Sequence, residues 1–106
     1  MNENEFYNLN DMDKMDYVIA CLYKAHSLFK AIYDSGCGFD QTVLDELEYL
    51  GDEFSRIGFM VEVQDYTDVY EDLNKNLSRL SSIVAVIEEY IYKNRKGKEI
   101  IMRCPK

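Results

Sequence analysis

Hydrophobic side chains recur along most of this chain at alternating spacings of four and three. The clearest series is Tyr66, Tyr70, Leu73, Leu77, Leu80, Val84, Ile87 and Ile91, which keeps the alternation without a break. Such spacing returns to one side of an α-helix, so it predicts a helix over about 66–95 with an a/d seam. Asp65 or Thr67 is the expected cap, Ile83, Val86 and Tyr90 add a flanking stripe, and Gly97 ends the pattern. A second series, Val43, Leu47, Leu50, Phe54 and Ile57, predicts a helix over about 40–58. Asp40 can cap it, Phe39 and Leu44 stand at hydrophobic-staple positions, and Gly58 is a stop signal. Val61 continues the spacing, which leaves residues 59–63 open between an extended connection and more helix.

A third helix is expected over about 10–34. Asn10 or Asp11 can cap it, and Asp11, Asp13 and Asp16 lie where the helix dipole favours negative charge. Met15, Val18, Ile19, Leu22, Ala25, Phe29, Ile32 and Tyr33 share one face; Tyr17, Cys21 and Leu28 widen it beyond a single-partner stripe. Gly36 and Gly38, on either side of Cys37, stop it. Two flexible ends complete the picture, the second a basic tail over 96–106 in which EIIMR (99–103) reads as a short strand or a docking segment. The expected fold is all-α: one helical domain over 1–106, an antiparallel three-helix bundle. The wide apolar faces of the first and third helices leave surface that one small bundle does not cover, so self-association is expected.

Composition narrows this reading. One Pro, at position 105, and five Gly in 106 residues are too few for the frequent turns of an all-β fold. The net charge of −8 argues against a nucleic-acid backbone or an anionic membrane as partner. Residues 35–65 carry −7 of it, whereas the last twelve residues carry +4. Cys21, Cys37 and Cys104 are odd in number and have no CxxC spacing. No basic region followed by an apolar run opens the sequence, and no apolar stretch approaches ~18 residues, so a cytoplasmic location with reduced thiols is expected.

The acidic stretch LDELEYLGDEF (44–54) is the main candidate for function. On a helical wheel Asp45, Glu46, Glu48, Asp52 and Glu53 occupy the side opposite the apolar arc of Val43, Leu47, Leu50, Phe54 and Ile57. Tyr49 sits among these acids, and tyrosine beside carboxylates suits a protein-binding patch because it adds area and a hydrogen-bonding tip at low entropic cost. Glu46, Glu48, Tyr49, Asp52 and Glu53 are therefore the expected partner-binding surface, set against the simpler reading of a solvated helix face.

Other chemistry is weakly signalled. Asp45-x-x-Glu48 with Asp52 resembles the magnesium-holding acidic helix of all-α nucleotide pyrophosphohydrolases, a spacing that any acidic helix produces. The second acidic motif would have to be Glu88-Glu89, which points away from its helix's seam. His26 lies near an apolar arc with no orienting acid or nucleophile implied. Cys37 has no neighbouring base to lower its pKa. No phosphate-binding loop, dinucleotide fingerprint or paired-Cys zinc pattern is present. The basic tail suits a helix C-terminus or an acidic neighbour.

The expected function is thus a small acidic, non-enzymatic protein-interaction module without cofactor or metal, acting on a protein partner with a basic surface. Inhibitors that cover such a surface, of the phage or mobile-element anti-defence, antitoxin or immunity type, have this composition; the analogy is one of composition alone. A helical homo-oligomer binding a nucleotide or other anionic ligand, through Lys14, Lys24, Lys30 or the tail, is the alternative. A magnesium-dependent pyrophosphohydrolase ranks third.

Overall fold

The three long amphipathic segments become helices, and a fourth, unanticipated one precedes them. The computed structural model describes residues 1–93 and 101–102. Its helices are α1 (Glu3–Tyr7), α2 (Asp11–Asp34), α3 (Gln41–Glu62) and α4 (Val69–Lys93). Gly38–Phe39 (β1) and Ile101–Met102 (β2) form a two-residue parallel pairing, Gly38 opposite Ile101 and Phe39 opposite Met102. EIIMR thus contributes a short strand at Ile101–Met102; the flexibility expected of the rest of the tail and the stop at Gly97 lie outside the described residues. Among the described residues no helix is long and apolar enough to cross a membrane.

Side-chain caps set the helix starts. Asn10 Oδ1 accepts the Asp13 N–H at 2.8 Å and Asp40 Oδ1 accepts the Val43 N–H at 3.0 Å, satisfying first-turn donors of α2 and α3. α1 has a reciprocal capping box. Asn2 Oδ1 accepts the Glu5 N–H at 2.9 Å, and Glu5 Oε1 accepts the Asn2 N–H at 3.4 Å. That corrects the expectation of a flexible N-terminal end. A five-residue helix is too short to persist alone, and packing holds it. Phe6 is fully buried, with ring centroids 5.0, 5.4, 6.4 and 5.4 Å from those of Tyr7, Tyr17, Tyr66 and Tyr70. The Tyr70 hydroxyl donates to the Met1 carbonyl, and the Tyr70 N–H donates to the Tyr7 hydroxyl at 3.4 Å.

The end of α3 is a second correction. Gly58 lies inside the helix, which runs through 59–62 and has Val63 as its C-cap. The Asp65 N–H donates to the Met60 carbonyl at 2.9 Å and the Gln64 N–H to the Val61 carbonyl at 3.1 Å. These are the two bonds of a Schellman motif, with Gln64 in the left-handed conformation (φ 57°) where glycine is usual. Asp68 takes the same conformation, and α4 starts one residue later rather than at 66. Asp65 accepts the Thr67 N–H at 3.1 Å in this connection instead of capping α4.

The long helices touch one another pairwise. The α3 seam is buried as expected: Val43, Leu47, Leu50, Phe54, Ile57 and Val61. On α4, Leu73, Leu77, Leu80, Ile83 and Ile87 are buried, Tyr70, Val84 and Ile91 are half-buried, and Tyr66 is buried just ahead of the helix. α2 buries Val18, Ala25 and Ile32 and half-buries Met15, Tyr17, Cys21, Leu22, Leu28 and Phe29, but leaves Ile19 and Tyr33 exposed. Phe29 and Phe54 meet edge-on at 6.1 Å, and Tyr17 and Tyr70 stack at 6.0 Å. The described chain measures 51 × 23 × 22 Å.

Candidate functional site

The acidic segment of α3 separates into two rows. Glu46, Tyr49, Glu53 and Arg56 follow one another at helical spacing along the edge facing α4. Asp45, Glu48 and Asp52 form the next row outward.

The inner row is tied to α4. Arg79 on α4 pairs with Glu46 and lays its guanidinium over the Tyr49 ring, 5.0 Å from the centroid. One arginine therefore engages two neighbouring α3 residues, through a charge pair and a cation–π contact. Glu53 accepts two bonds from Arg56, Nε to Oε2 at 3.1 Å and Nη2 to Oε1 at 3.2 Å. Arg56 also reaches Asp72 on α4 at 2.9 Å, and Asn76 Nδ2 on α4 lies 3.5 Å from Glu53 Oε1. The hydrogen bonds from Arg56 hold the Glu53 carboxyl below the usual carboxylate range, and those to Glu53 and Asp72 push the Arg56 guanidinium further up.

Asn76 is 1% exposed, between the buried Leu73 and Leu77, and its Oδ1 has no hydrogen-bond partner. Turning the amide over would set that oxygen against the Glu53 carboxylate, so the present orientation is the favourable one.

The outer row faces solvent. Glu48 and Asp52 are exposed and form no ion pair among the described residues; Asp45 accepts from Gln41 Nε2 at 2.8 Å. Tyr49, in the inner row, is nonetheless 45% exposed. The five residues singled out from sequence are thus neighbours on one helix but not equivalents: Glu46 and Glu53 hold the α3–α4 contact, Glu48 and Asp52 are open, and Tyr49 does both. Arg56, Asp72, Asn76 and Arg79 escaped the sequence reading. A signal existed for Asn76, a polar residue on an apolar stripe, but the partners across the seam are set by the packing of a different helix.

The remaining candidates are dispersed. His26 is exposed on α2, and Cys37 is half-buried between Gly36 and Gly38. Burial pushes the Cys21 thiol up, which disfavours the thiolate. Cys104 lies outside the described residues. Glu88 and Glu89 are exposed, the latter paired with Lys93 at 2.8 Å. Among the described residues no three or more His, Cys, Asp or Glu side chains converge as a metal would require. A shallow cleft of about 710 Å³ lies between α2 and α3. No protein-family model matches the chain, and searches of curated proteins and of solved structures return no similar protein.

Proposed function

We propose that this protein is a cytoplasmic, non-enzymatic interaction module whose α3 presents carboxylates to a basic surface of a protein partner, as an inhibitor that covers such a surface would. In this reading the long helices form an antiparallel three-helix bundle and the chain self-associates. The contact pairs support the helix directions: Arg56 meets Asp72 while Glu46, ten residues earlier, meets Arg79, seven residues later.

The observation that carries the proposal is the division of labour on α3. Glu46 and Glu53 have intramolecular cations, whereas Glu48 and Asp52 have none among the described residues. Two open carboxylates one turn apart, beside a tyrosine whose ring is braced by Arg79, form a preorganised anionic patch. An arginine or lysine arriving from a partner finds charge there that no cation among the described residues neutralises, and Tyr49 adds contact area at little entropic cost.

The test is affinity capture from the source cell, followed by binding measurements with variants. Glu48→Gln/Asp52→Gln should leave helix content unchanged, since Gln and Glu have similar helix propensities, but should weaken the complex. Tyr49→Ala should weaken it further, and the wild-type complex should loosen as salt rises past the ~10 Å screening length of 0.1 M. A captured partner that binds the Glu48/Asp52 variant as tightly as wild type refutes the proposal.

A further inference from the structure

α2 carries, on the side turned away from the core, a second stripe with the spacing of a helix-pairing seam. Asp16, Ile19, Tyr23, His26 and Lys30 follow at steps of 3, 4, 3 and 4, Met12 extends the series backward, and all are exposed. Ile19 and Tyr23, 39% and 71% exposed, form its centre. Asp16 lies on one side of that centre, with Asp13 beyond it; His26 and Lys30 lie on the other, with Lys24 alongside. The outward charge of α2 therefore changes sign about its midpoint, near residue 21. α3 continues the apolar surface at the same level: a Cβ at Gly58 would lie 3.9 Å from Leu22 Cδ1, which places the neighbouring Phe59, 59% exposed, beside the centre of the stripe. Ile19, Leu22 and Phe59 line the same open cleft between the two helices.

We infer that this face pairs with the same face of a second copy, the two α2 helices running antiparallel about a two-fold axis near residue 21. The inference deepens the self-association proposed above by naming its surface and direction. Charge complementarity selects both. In an antiparallel pair Ile19 meets Tyr23 of the second copy, Asp16 meets His26 and Asp13 approaches Lys30, each twice by symmetry. A parallel pair would set Asp16 against Asp16 and Lys30 against Lys30. The two-fold operation also brings α3 over α3 of the second copy, with the two Phe59 rings near the axis. An apolar centre flanked by complementary charge is the arrangement of a specific interface. Lys30 reaches Asp34 on its own helix at 3.1 Å, and Asp34 falls beyond the paired segment, opposite the neutral Asn8. Lys14 is turned toward the core, over the Tyr66 ring at 5.7 Å, and stays out of the contact.

Sedimentation of the full chain tests this through charge exchange. Wild type should sediment at twice 12.5 kDa at tens of micromolar. Asp13→Lys/Asp16→Lys makes both halves of the seam basic, and Lys24→Glu/His26→Glu/Lys30→Glu makes both acidic. Each variant alone should sediment as a monomer with an unchanged helical spectrum. Mixed in equal amounts, they should form a heterodimer, because every contact then joins opposite charges. Ile19→Asp should give a monomer that neither variant rescues. A monomeric wild type, variants that each dimerise as well as wild type, or a mixture that stays monomeric would overturn the inference. None of these outcomes touches the α3 patch, because Glu48 and Asp52 lie outside this face and are tested by partner affinity.

Discussion

The rings of Phe6 and Tyr70 lie 5.4 Å apart at 42°, joining a five-residue helix near the start of the chain to the first turn of α4. Four tyrosine rings enclose Phe6, none of its surface reaches solvent, and the Tyr70 hydroxyl fixes the Met1 carbonyl beside it. Phe6→Ala should therefore cost about 3–5 kcal/mol, the usual loss for a fully buried Phe. Urea titration checks it: a lowered midpoint with an unchanged slope is the expected result. A neutral substitution would mean that α1 does not dock.

Gln64 offers a test of opposite sign. A side chain in the left-handed region clashes with its own backbone by about 1–2 kcal/mol, a cost glycine does not have. Glycine also adds entropy to the unfolded chain, which offsets part of the gain. Gln64→Gly should stabilise by about 0.5–1 kcal/mol, measured as a raised thermal or urea midpoint. Gly58→Ala, inside α3 with only Leu22 nearby, should also be tolerated.

These two positions mark where the sequence stops being legible. The seams of α3 and α4 were readable because spacing alone identifies a buried helix face, and Asn10 and Asp40 because a cap residue announces a helix start. α1 is too short to show periodicity, and its one cue is Asn2 three residues before Glu5. The end of α3 stays open over 59–63 in the sequence because the Schellman motif here uses glutamine, so Gly58 offers the only familiar stop signal while Val61 continues the spacing. The acidic face was legible as a face but not as two rows. A helical wheel knows only its own helix: it places Arg56 one turn from Glu53, but the Arg79 that pairs with Glu46 arrives from α4.

Leu80 and Ser82 test the α4 seam directly. Leu80 is fully buried, and Ser82 is exposed with its hydroxyl donating to the Ser78 carbonyl at 3.0 Å. Leu80→Ala should cost about 2–5 kcal/mol, whereas Ser82→Ala should stay within about 0.5 kcal/mol of wild type. Equal effects in denaturant titrations would disprove the assignment of the buried side.

Glu53 and Glu71 should give opposite pH dependences. Arg56 lowers the Glu53 value, so Glu53 stabilises the fold above the unfolded carboxylate value of about 4.3 and loses that contribution as pH falls through its lower folded value. Glu71 is raised by a hydrogen bond with Glu3 and by that residue's charge. Its contribution is complete below the unfolded value and is lost as pH rises through the folded one. Melts over pH 2–7 should show Glu53→Gln losing most relative to wild type at neutral pH. Glu71→Gln should compare best with wild type there, because it removes a like-charge contact between α1 and α4. Parallel pH profiles for the two variants would contradict both assignments.

Asn76 gives the sharpest test of the α3–α4 network. Its amide Nδ2 approaches Glu53 while Oδ1 is buried without a partner, so the site accommodates a donor and little else. Asn76→Asp keeps the shape and replaces that donor with a second carboxylate beside Glu53, one turn from Asp72. Desolvation and both neighbours raise the introduced group's pKa in the folded state. At neutral pH the substitution should cost about 3–5 kcal/mol, the scale of an uncompensated buried charge. The deficit should shrink as pH falls, because the folded state binds the proton more tightly than the unfolded one, and a protonated carboxyl again offers Glu53 a donor. Asn76→Leu removes the unsatisfied oxygen together with the amide, and Glu53 keeps both bonds from Arg56, so stability should be unchanged or higher. Chemical denaturation of the two variants between pH 4 and 7 separates them: the Asp variant's stability should depend steeply on pH, and the Leu variant's should follow wild type. If Asn76→Asp were as stable as wild type at pH 7, Asn76 would not lie buried against Glu53.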